Sequence, residues 1–330
     1  MTELLVAVDG GNSKTDVVLV DADGVVLAEV RGDGTRSHVV GVPAMVDGVA
    51  ALVRAARREA GLDDTIAISA GAFCLANLDV AEAEAQALED LRRQGLCDRL
   101  VVRNDTLAPL RAGSPHAWGI AVVSGAGINA VGVHPDGREA RFLALGDVTG
   151  DWGGGHSVGL AGLGAAVRAG DGRGPATSLR TAVSEHYGMP SPEAVALALA
   201  DDRVPMETVH GLAPAVFAAA EDGDAVATSI VLRLADEVAT LALALARRLD
   251  LVEAAVPVVL AGSTLQLGPA VLLDAVRQRI LGYLPAALPR VLDVRPVAGA
   301  ALLALDLVGH DARAEERIRS ALALRAAGVS

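Results

Sequence analysis

The fold of this chain is decided at residues 4–15, which read LLVAVDGGNSKT. An apolar run enters a turn of glycine and polar residues, and a second apolar run, residues 17–20, leaves it. An Asp-Gly pair at residues 23–24 then leads to a third apolar run. The pattern predicts strand, glycine turn, strand, tight turn and strand. A glycine turn between strands exposes backbone N–H groups in a small concavity, and such concavities hold phosphates.

The same pattern returns in the second half of the chain. An apolar run at residues 119–123 enters SGAGIN at residues 124–129, and Val131-Gly132-Val133 leaves it. Another Asp-Gly pair at residues 136–137 and an apolar run at 142–144 follow. Because this turn continues as strand instead of opening a helix, it is not a Rossmann dinucleotide fingerprint. Two such turns in one chain predict two lobes that grip one nucleotide.

Helices and further strands are predicted after each set of three strands. In the first half the helices are at residues 43–61 and 80–95, the strands at 65–70 and 100–102, and a short helix opens at 104–106. In the second half the helices are at 157–169, 176–187, 192–200, 205–220, 224–249, 269–281, 298–308 and 311–327, and the strands at 256–261 and 291–294. The repeated βββαβα plan predicts an α/β protein with two similar domains, residues 1–114 and 115–310, the second carrying a helical insertion.

Composition narrows the possible partners. The chain has 330 residues, is 52% hydrophobic and only 2% aromatic, and has a net charge of −13. That charge argues against nucleic acid or an anionic membrane as partner, but not against ATP, because Mg²⁺ carries compensating charge. Cys74 and Cys97 show no disulfide or zinc spacing, and neither a signal peptide nor a membrane-spanning stretch is evident. We therefore expect a cytoplasmic protein, and a homodimer as the commonest oligomer.

The first turn has the residue types that a γ-phosphate requires. Gly10 and Gly11 let the backbone approach an anion closely, and Ser13 and Lys14 offer donors. Asp9 could hold Mg²⁺ through water. The alternative is an ordinary hairpin turn rich in glycine and asparagine.

Asp105 lies just past a predicted strand, at the mouth of the predicted cleft. One interpretation is the start of a helix, where Asn104, Asp105 and Thr106 are all suitable capping residues. The other is a general base that takes a proton from a substrate hydroxyl as it attacks the γ-phosphate. The residues alone leave both interpretations open.

Two further segments allow a functional and a structural interpretation. Gly150-Asp151-Trp152-Gly153-Gly154-Gly155 could be a flexible lid that places an aromatic ring over a sugar, or a surface loop that Trp152 merely anchors. Residues 258–264, VVLAGST, form a predicted buried strand that ends in a turn of small residues. That turn could make room for adenosine or be a tight connection to the next helix.

Together these segments resemble the sugar kinase/actin/Hsp70 superfamily, and more closely the BadF/BadG/BcrA/BcrD ATPase family, which includes N-acetylglucosamine kinase. The segments that carry the resemblance are AVDGGNSKTDVVLVDADG, GDGTRSHVVG, the Asp105 region, VVSGAGINAVGVHPDG, GDWGGG, AVRAGDGRGPAT, LAGSTLQLGP and PVAGAALLAL. The resemblance implies two RNase H-like, actin-like ATPase domains with ATP and Mg²⁺ between them. It implies an ATP-dependent kinase that phosphorylates a hydroxyl of an amino sugar or related carbohydrate. It also implies that the last helix packs on the first domain.

The resemblance assigns a role to each candidate residue. Asp105 becomes the catalytic base, and Asp9 the residue that holds Mg²⁺ through water. The residues expected to contact the nucleotide are Gly10, Gly11, Asn12, Ser13, Lys14, Gly125, Ala126, Gly127, Gly262 and Ser263. Those expected on the sugar side are Arg36, Asn104, Ile128, Asn129, Asp151 and Trp152.

The chain departs from the family pattern at several of these positions. Arg36 stands where the family often has Asn, and Ser263 where a second glycine is common. Ala126 and Ile128 replace Thr and Ser in the usual SGTGSN turn, which removes two hydroxyl donors. The usual Gly-Asp-Glu-Gly after the tryptophan is not readable. Such losses, at about 0.5–1.5 kcal/mol per hydrogen bond, change specificity more readily than they abolish phosphoryl transfer.

Two other functions stay open. One is an ATP-driven activator of a reductase or dehydratase. Relatives of that type hold an iron–sulfur cluster through cysteines of the second domain, whereas both cysteines here are in the first. The other is a nucleotide-binding regulator with weak or no kinase activity, because a fold does not guarantee activity.

Overall fold

The computed structural model describes residues 3–35, 37–63, 65–309 and 311–324. The first half forms one five-stranded sheet in the order β3-β2-β1-β4-β5. β1 pairs antiparallel with β2 and parallel with β4, and β5 extends the parallel part. The strands are β1 (Leu4–Gly10), β2 (Lys14–Asp21), β3 (Val26–Asp33), β4 (Ala70–Leu75) and β5 (Arg99–Asn104), and the helices are α1 (Ser37–Val40), α2 (Val42–Glu59), α3 (Ala81–Gln94) and α4 (Leu107–Gly113).

The second half repeats this plan. Its strands are β6 (Gly119–Ser124), β7 (Ile128–Val133), β8 (Glu139–Arg141), β9 (Pro257–Ala261) and β10 (Leu288–Val291), arranged as β8-β7-β6-β9-β10. Again the first three strands are antiparallel, and β9 pairs parallel with both β6 and β10. The sequence-based prediction of an α/β fold with two similar halves is therefore confirmed.

Helices cover the second sheet and continue to the end of the chain. They are α5 (Gly154–Gly170), α6 (Leu179–Tyr187), α7 (Pro192–Ala200), α8 (Ala213–Glu221), α9 (Ala225–Arg248), α10 (Ser263–Gln266), α11 (Ala270–Tyr283), α12 (Pro296–Val308) and α13 (Ala312–Ala321), with 3₁₀ helices at Gly146–Val148 and Met206–Leu212. In the described ranges, no helix has both the length and the apolar character needed to cross a bilayer.

Three predicted strands were misplaced. The strand predicted at residues 65–70 is wrong, because β4 begins only at Ala70, where a fully buried run fits between β1 and β5. The third strand of the second half is β8 and not residues 142–144, since the turn at 136–137 brings Glu139 directly opposite Val133. β10 ends at Val291, where the prediction placed the start of that strand, because it pairs with β9 from Leu288 onward.

α4 and α12 lie between the two sheets. α4 belongs to the first half of the chain but also contacts β6 and β9, whereas α12 follows the second sheet and packs on β1 and β4. Their buried side chains share one apolar cluster with residues from both sheets. This exchange of helices places that apolar cluster at the junction of the two halves. The division of the chain at residues 114/115 stays a prediction.

α4 and α12 approach each other most closely at Gly299. A Cβ added to Gly299 would lie 1.7 Å from the backbone oxygen of Ala108. We expect Gly299→Ala to lower the free energy of unfolding by about 1–3 kcal/mol, because the two backbones must separate. Urea denaturation measures the loss. Gly282→Ala in α11 is the matched control, since a Cβ there meets open space. Equal stability of the two variants would contradict the prediction.

α13 is fastened to the first half by a buried arginine. The guanidinium of Arg111 in α4 donates to Asp306 of α12 at 2.9 and 3.0 Å and to Glu315 of α13 at 3.1 and 3.0 Å. Although burial opposes the charge of Glu315, hydrogen bonds from Arg111 and Arg319 lower the pKa of its carboxyl to about 2. The predicted helix at 311–327 therefore lies against the first half up to residue 321, and residues 325–327 lie outside the described residues.

Candidate functional site

The parallel strands of the first sheet bring two carboxylates to one edge. β1, β4 and β5 all run in the same direction, so their carboxyl ends meet there. Asp9 lies near the end of β1, opposite Cys74 of β4. Asp105 directly follows β5, and its backbone N–H donates to the oxygen of Leu75 at 3.2 Å. Ligands of open α/β sheets bind outside such strand ends.

The first glycine turn is held from behind and open in front. Thr35 donates its backbone N–H to the oxygen of Gly11 at 2.9 Å, and its hydroxyl contacts the oxygens of Gly10 and Gly11 at 3.3 and 3.2 Å. A Cβ on Gly10 would come within 2.6 Å of the Thr35 methyl group and 2.8 Å of a Leu75 methyl group, so a larger residue would displace these side chains. The exposed residues of the turn are Asn12, Ser13 and Lys14. These residues are therefore accessible to a ligand, although the Lys14 ammonium also lies 3.7 Å from the Asp16 carboxylate.

The second turn has two glycines with open space where a side chain would stand. A Cβ on either Gly125 or Gly127 would meet no atom within 4 Å, and Ala126 between them is exposed. Behind the turn, the N–H groups of Gly155 and His156 donate to the oxygens of Gly125 and Ala126 at 2.7 and 2.9 Å. The turn is thus fixed to the start of α5 while its front stays accessible.

The glycines that follow Trp152 help to fix the second glycine turn and do not form a flexible loop. Gly154 and Gly155 are buried and begin α5. Gly154 has a φ of +70°, and a Cβ there would lie 2.3 Å from the oxygen of Gly127. The expectation of a loop is therefore wrong for Gly154 and Gly155, where glycine is needed for the close approach of two backbones.

Trp152 is half-buried beside the second core. The guanidinium of Arg233 from α9 lies 4.0 Å from the centre of its ring, a cation–π distance. This contact favours the anchoring interpretation of Trp152 over the lid. Asp151 beside it receives the hydroxyl of Thr149 in a short hydrogen bond.

The small-residue turn after β9 joins the second glycine turn. Gly262 has a φ of +88°, and a Cβ there would lie 2.3 Å from the backbone oxygen of Ser124. The hydroxyl of Thr264 donates to that same oxygen at 2.6 Å. Ser263 is exposed. The predicted adenosine residues thus border the predicted phosphate residues, and the positioning role of Thr264 was not expected from the sequence.

Asp105 has the properties of a base that works near neutral pH. Burial raises the pKa of its carboxyl to about 7, and the nearby charge of Asp79 adds to this. No side chain caps the start of α4, where Thr106 occupies the capping position. Instead the Asn104 side-chain oxygen accepts from the backbone N–H of Thr106 at 3.1 Å. These contacts favour the general-base interpretation of Asp105 over the helix cap.

The carboxyl group of Asp9 is repelled by the negative charges of Asp16 and Asp105. Burial raises the pKa of its carboxyl to about 8, and repulsion from Asp105 and Asp16 contributes. Burial would also raise the pKa of Asp16, but Arg31, Lys14 and Arg295 lower it below its ordinary value. Arg31 makes two hydrogen bonds to Asp16, at 2.6 and 3.0 Å. Asp16 therefore stays ionised, and the repulsion between the carboxylates contributes to the raised pKa of Asp9.

This charge distribution fits a divalent cation that reaches the site with a nucleotide. No group of three or more His, Cys, Asp or Glu side chains suited to a metal occurs among the described residues. A cation would accordingly take most of its ligands from phosphate oxygens and water, with Asp9 in contact through water. Its charge would relieve the repulsion between Asp9 and Asp105.

Removing the Asp9 charge is expected to stabilise the empty protein. The pKa of Asp9 rises from 3.8 to about 8 on folding, so the folded chain binds more protons between these values and stability falls as pH rises. We expect Asp9→Asn to gain several kcal/mol in unfolding free energy at pH 8, since each unit of pKa shift corresponds to about 1.4 kcal/mol. The gain should shrink toward pH 5, where Asp9 is neutral in the folded chain.

Urea unfolding without Mg²⁺ and nucleotide at pH 5, 6.5 and 8 tests this expectation. Asp98→Asn is the control, because Asp98 is exposed at the other end of β5. A gain that is the same at all three pH values would show that charge burial at Asp9 is not the cause. In an activity assay the Asp9→Asn protein should be impaired, since the cation loses its contact.

Asp79 is a site residue that sequence reasoning missed. Its Oδ1 accepts a hydrogen bond from the Asn104 amide at 2.9 Å and from the Asn129 amide at 3.1 Å. Asn104 ends β5 of the first sheet and Asn129 lies in β7 of the second, so this carboxylate joins the two halves. The structure thereby brings together two predicted sugar-side residues. An aspartate just before a helix usually signals a cap, which conceals such a role in the sequence.

Another predicted sugar-side residue, Ile128, does not face the site. The side chain of Ile128 is buried in the second core, and a Cβ on Gly153 would lie 2.8 Å from it. It therefore supports the glycine run and does not face an acceptor. Arg36 lies outside the described residues.

Two kinases are similar in sequence to this chain. The chain is 26% identical over 314 residues to an N-acetyl-D-glucosamine kinase of Dictyostelium discoideum, covering 92% of this chain and 98% of the relative. It is 28% identical over 241 residues to an N-acetylmuramic acid/N-acetylglucosamine kinase of Clostridium acetobutylicum, covering 71% of this chain and 76% of the relative.

A solved structure has a similar fold over most of this chain. The crystal structure of a provisionally named N-acetylglucosamine kinase from Chromobacterium violaceum matches with a TM-score of 0.69 at 25% identity, covering 92% of this chain and 99% of that one. The sequence profile of the BadF/BadG/BcrA/BcrD ATPases matches residues 6–304. This match spans the repeated sheets, the paired glycine turns and the carboxylate at the edge of the first sheet. This chain belongs to the BadF/BadG/BcrA/BcrD ATPase family.

Proposed function

We propose that this protein is an ATP- and Mg²⁺-dependent kinase that phosphorylates a hydroxyl of an amino sugar, with N-acetylglucosamine as the first acceptor to test. The observation that carries the proposal is Asp105, whose carboxyl has a pKa of about 7 and lies at the edge of the sheet beside the first glycine turn. The relatives named above as N-acetylglucosamine kinases support this acceptor class.

The reaction needs a base, a phosphate clamp and an acceptor side. Asp105 takes the proton of the sugar hydroxyl as the hydroxyl oxygen forms a bond to the γ-phosphorus. The bond between that phosphorus and the bridging oxygen breaks, and its electron pair leaves with ADP. The N–H groups of Gly11 and Gly125 close the two turns by donating to the oxygens of Lys14 and Gly127, each at 2.9 Å. The N–H groups at the fronts of the turns, at residues 12–13 and 126–127, are the donors to the phosphates, and Gly262 and Ser263 border the adenosine. Asp9 would hold Mg²⁺ through water, and the ion would supply positive charge to offset that of the phosphates.

The contacts around the two cysteines favour the kinase over a cluster-bearing activator. Cys74 is fully buried in β4, and burial raises the pKa of its thiol well above the ordinary value. Burial also raises the pKa of Cys97 to about 12. Iron–sulfur ligands are thiolates, which these environments disfavour. The cytoplasmic location and the homodimer remain predictions.

ADP release with a panel of sugars tests the proposal directly. The purified protein with ATP and Mg²⁺ is offered N-acetylglucosamine, N-acetylmuramic acid, N-acetylmannosamine and glucose. We expect turnover that depends on one or more of the amino sugars and is absent without Mg²⁺. ATP binding by calorimetry with no turnover on any sugar would instead support the nucleotide-binding regulator.

A further inference from the structure

Asp79 has one carboxylate oxygen that is fixed and one that is free. Both amides, from Asn104 and Asn129, donate to Oδ1. Within the described part of the chain, no group donates a hydrogen bond to Oδ2. A carboxylate has about four lone-pair positions, so half of its capacity for hydrogen bonds is unused.

Neither a helix cap nor a salt bridge explains the position of this carboxylate. Asp79 directly precedes α3, but Val80 occupies the capping position of that helix and no side chain caps it. Arg141 is the cation whose charge acts on Asp79, yet it is engaged by Glu84 at 3.0 Å and Glu139 at 2.7 Å. Asp79 is therefore neither a helix cap nor a partner in a salt bridge.

Its surroundings place the free oxygen beside the proposed acceptor. Asn104, which binds Oδ1, is the residue before Asp105, and the charge of Asp79 acts on the Asp105 carboxyl. Asn129 and the loop with Asp151 approach from the second half. Asp79 is half-buried at this junction, where burial raises the pKa of its carboxyl and the two amides offset part of the rise. A partly desolvated carboxylate of this kind gains most from one more donor.

We propose that Asp79 is a specificity-determining residue whose Oδ2 accepts a hydrogen bond from a hydroxyl or amide N–H of the acceptor sugar, at a position other than the phosphorylated hydroxyl. The inference rests on the proposed kinase function. The two asparagine amides hold the carboxylate in register with Asp105, so the acceptor is fixed at two points. Sites that bind a substrate donor in this way discriminate strongly against analogues that lack it, because a charged acceptor is then left without its partner.

Steady-state kinetics on Asp79→Ala and Asp79→Asn, with N-acetylglucosamine and analogues that each lack one donor group, tests the proposal. For the parent sugar we expect Asp79→Ala to lower kcat/KM by about 10- to 100-fold, the range of a hydrogen bond to a charged group, with KM for ATP nearly unchanged. For the one analogue that lacks the contacted donor, the same variant should lose less than about threefold, because the hydrogen bond is already missing. Asp79→Asn keeps an oxygen for both amides and should retain the fold.

Glu82→Ala is the control, since Glu82 is exposed in the first turn of α3. A purely structural role would lower kcat/KM by the same factor for every analogue, and that result would overturn the proposal, as would an unchanged kcat/KM in both Asp79 variants. If the unmodified protein turns over no sugar, the proposed function fails and this inference fails with it. If it turns over sugar and the loss is uniform, only the role of Asp79 is wrong.

Discussion

Replacing Asp105 by Asn should lower kcat by about 10²- to 10⁴-fold, the usual contribution of a positioned general base. Asn has the same shape but cannot take the proton of the attacking hydroxyl. KM for ATP should stay within about threefold, because the proposed phosphate site consists of the two glycine turns and does not include this carboxylate. Stability should not fall, since burial disfavours the charge that the substitution removes. ADP release at saturating sugar measures the effect.

The pH dependence identifies the group responsible. Because a base must be ionised to act, kcat/KM of the unmodified protein should fall as the pH drops through about 7, the pKa of Asp105. The residual activity of Asp105→Asn should lack this acidic limb. Asp98→Asn at the opposite, exposed end of β5 should behave like the unmodified protein. Unchanged turnover in Asp105→Asn, or an identical pH profile, would remove the proposed role.

Gly127→Ala should weaken ATP binding without weakening the fold. A Cβ at position 127 meets no atom within 4 Å, and no positive φ is required there. We therefore expect unfolding free energies within about 0.5 kcal/mol of the unmodified protein. The added methyl group would occupy the front of the turn, where phosphate oxygens must approach the backbone N–H groups. The loss of one such charged hydrogen bond corresponds to a rise of about 10- to 100-fold in KM for ATP.

A glycine outside the proposed site that also has free space around it separates an effect on ATP binding from an effect on stability. Gly164 in α5 also meets no neighbour, and Gly164→Ala should leave KM for ATP unchanged. KM for the sugar should change little in either variant, because the turn at residues 125–127 belongs to the proposed nucleotide site. An unchanged KM for ATP in Gly127→Ala would show that phosphates do not contact this turn, and a large loss of stability would show that the glycine serves the fold.

Much of the candidate site could be predicted from the sequence because its parts are local. The two glycine turns each depend on a few adjacent residues between strands, and the order of elements places Asp105 after a buried strand. Residue types cannot reveal contacts between distant segments. Asp79 was missed because its amide partners are 25 and 50 residues away in sequence. Ile128 was assigned to the acceptor side because it stands where the family pattern has Ser, yet its side chain is buried in the core.

The sequence by itself determined the repeated sheet, since alternating apolar runs, Asp-Gly turns and glycine turns specify strands through local sterics and burial. Only the tertiary structure decided how the halves share a core, with α4 and α12 between the sheets, and what the glycines at 153–155 are for. It alone raised the pKa of Asp105 to about 7, because that value depends on burial and on Asp79, a charge brought close by the fold. Desolvation and Coulomb interactions act through space, and no pattern along the chain records them.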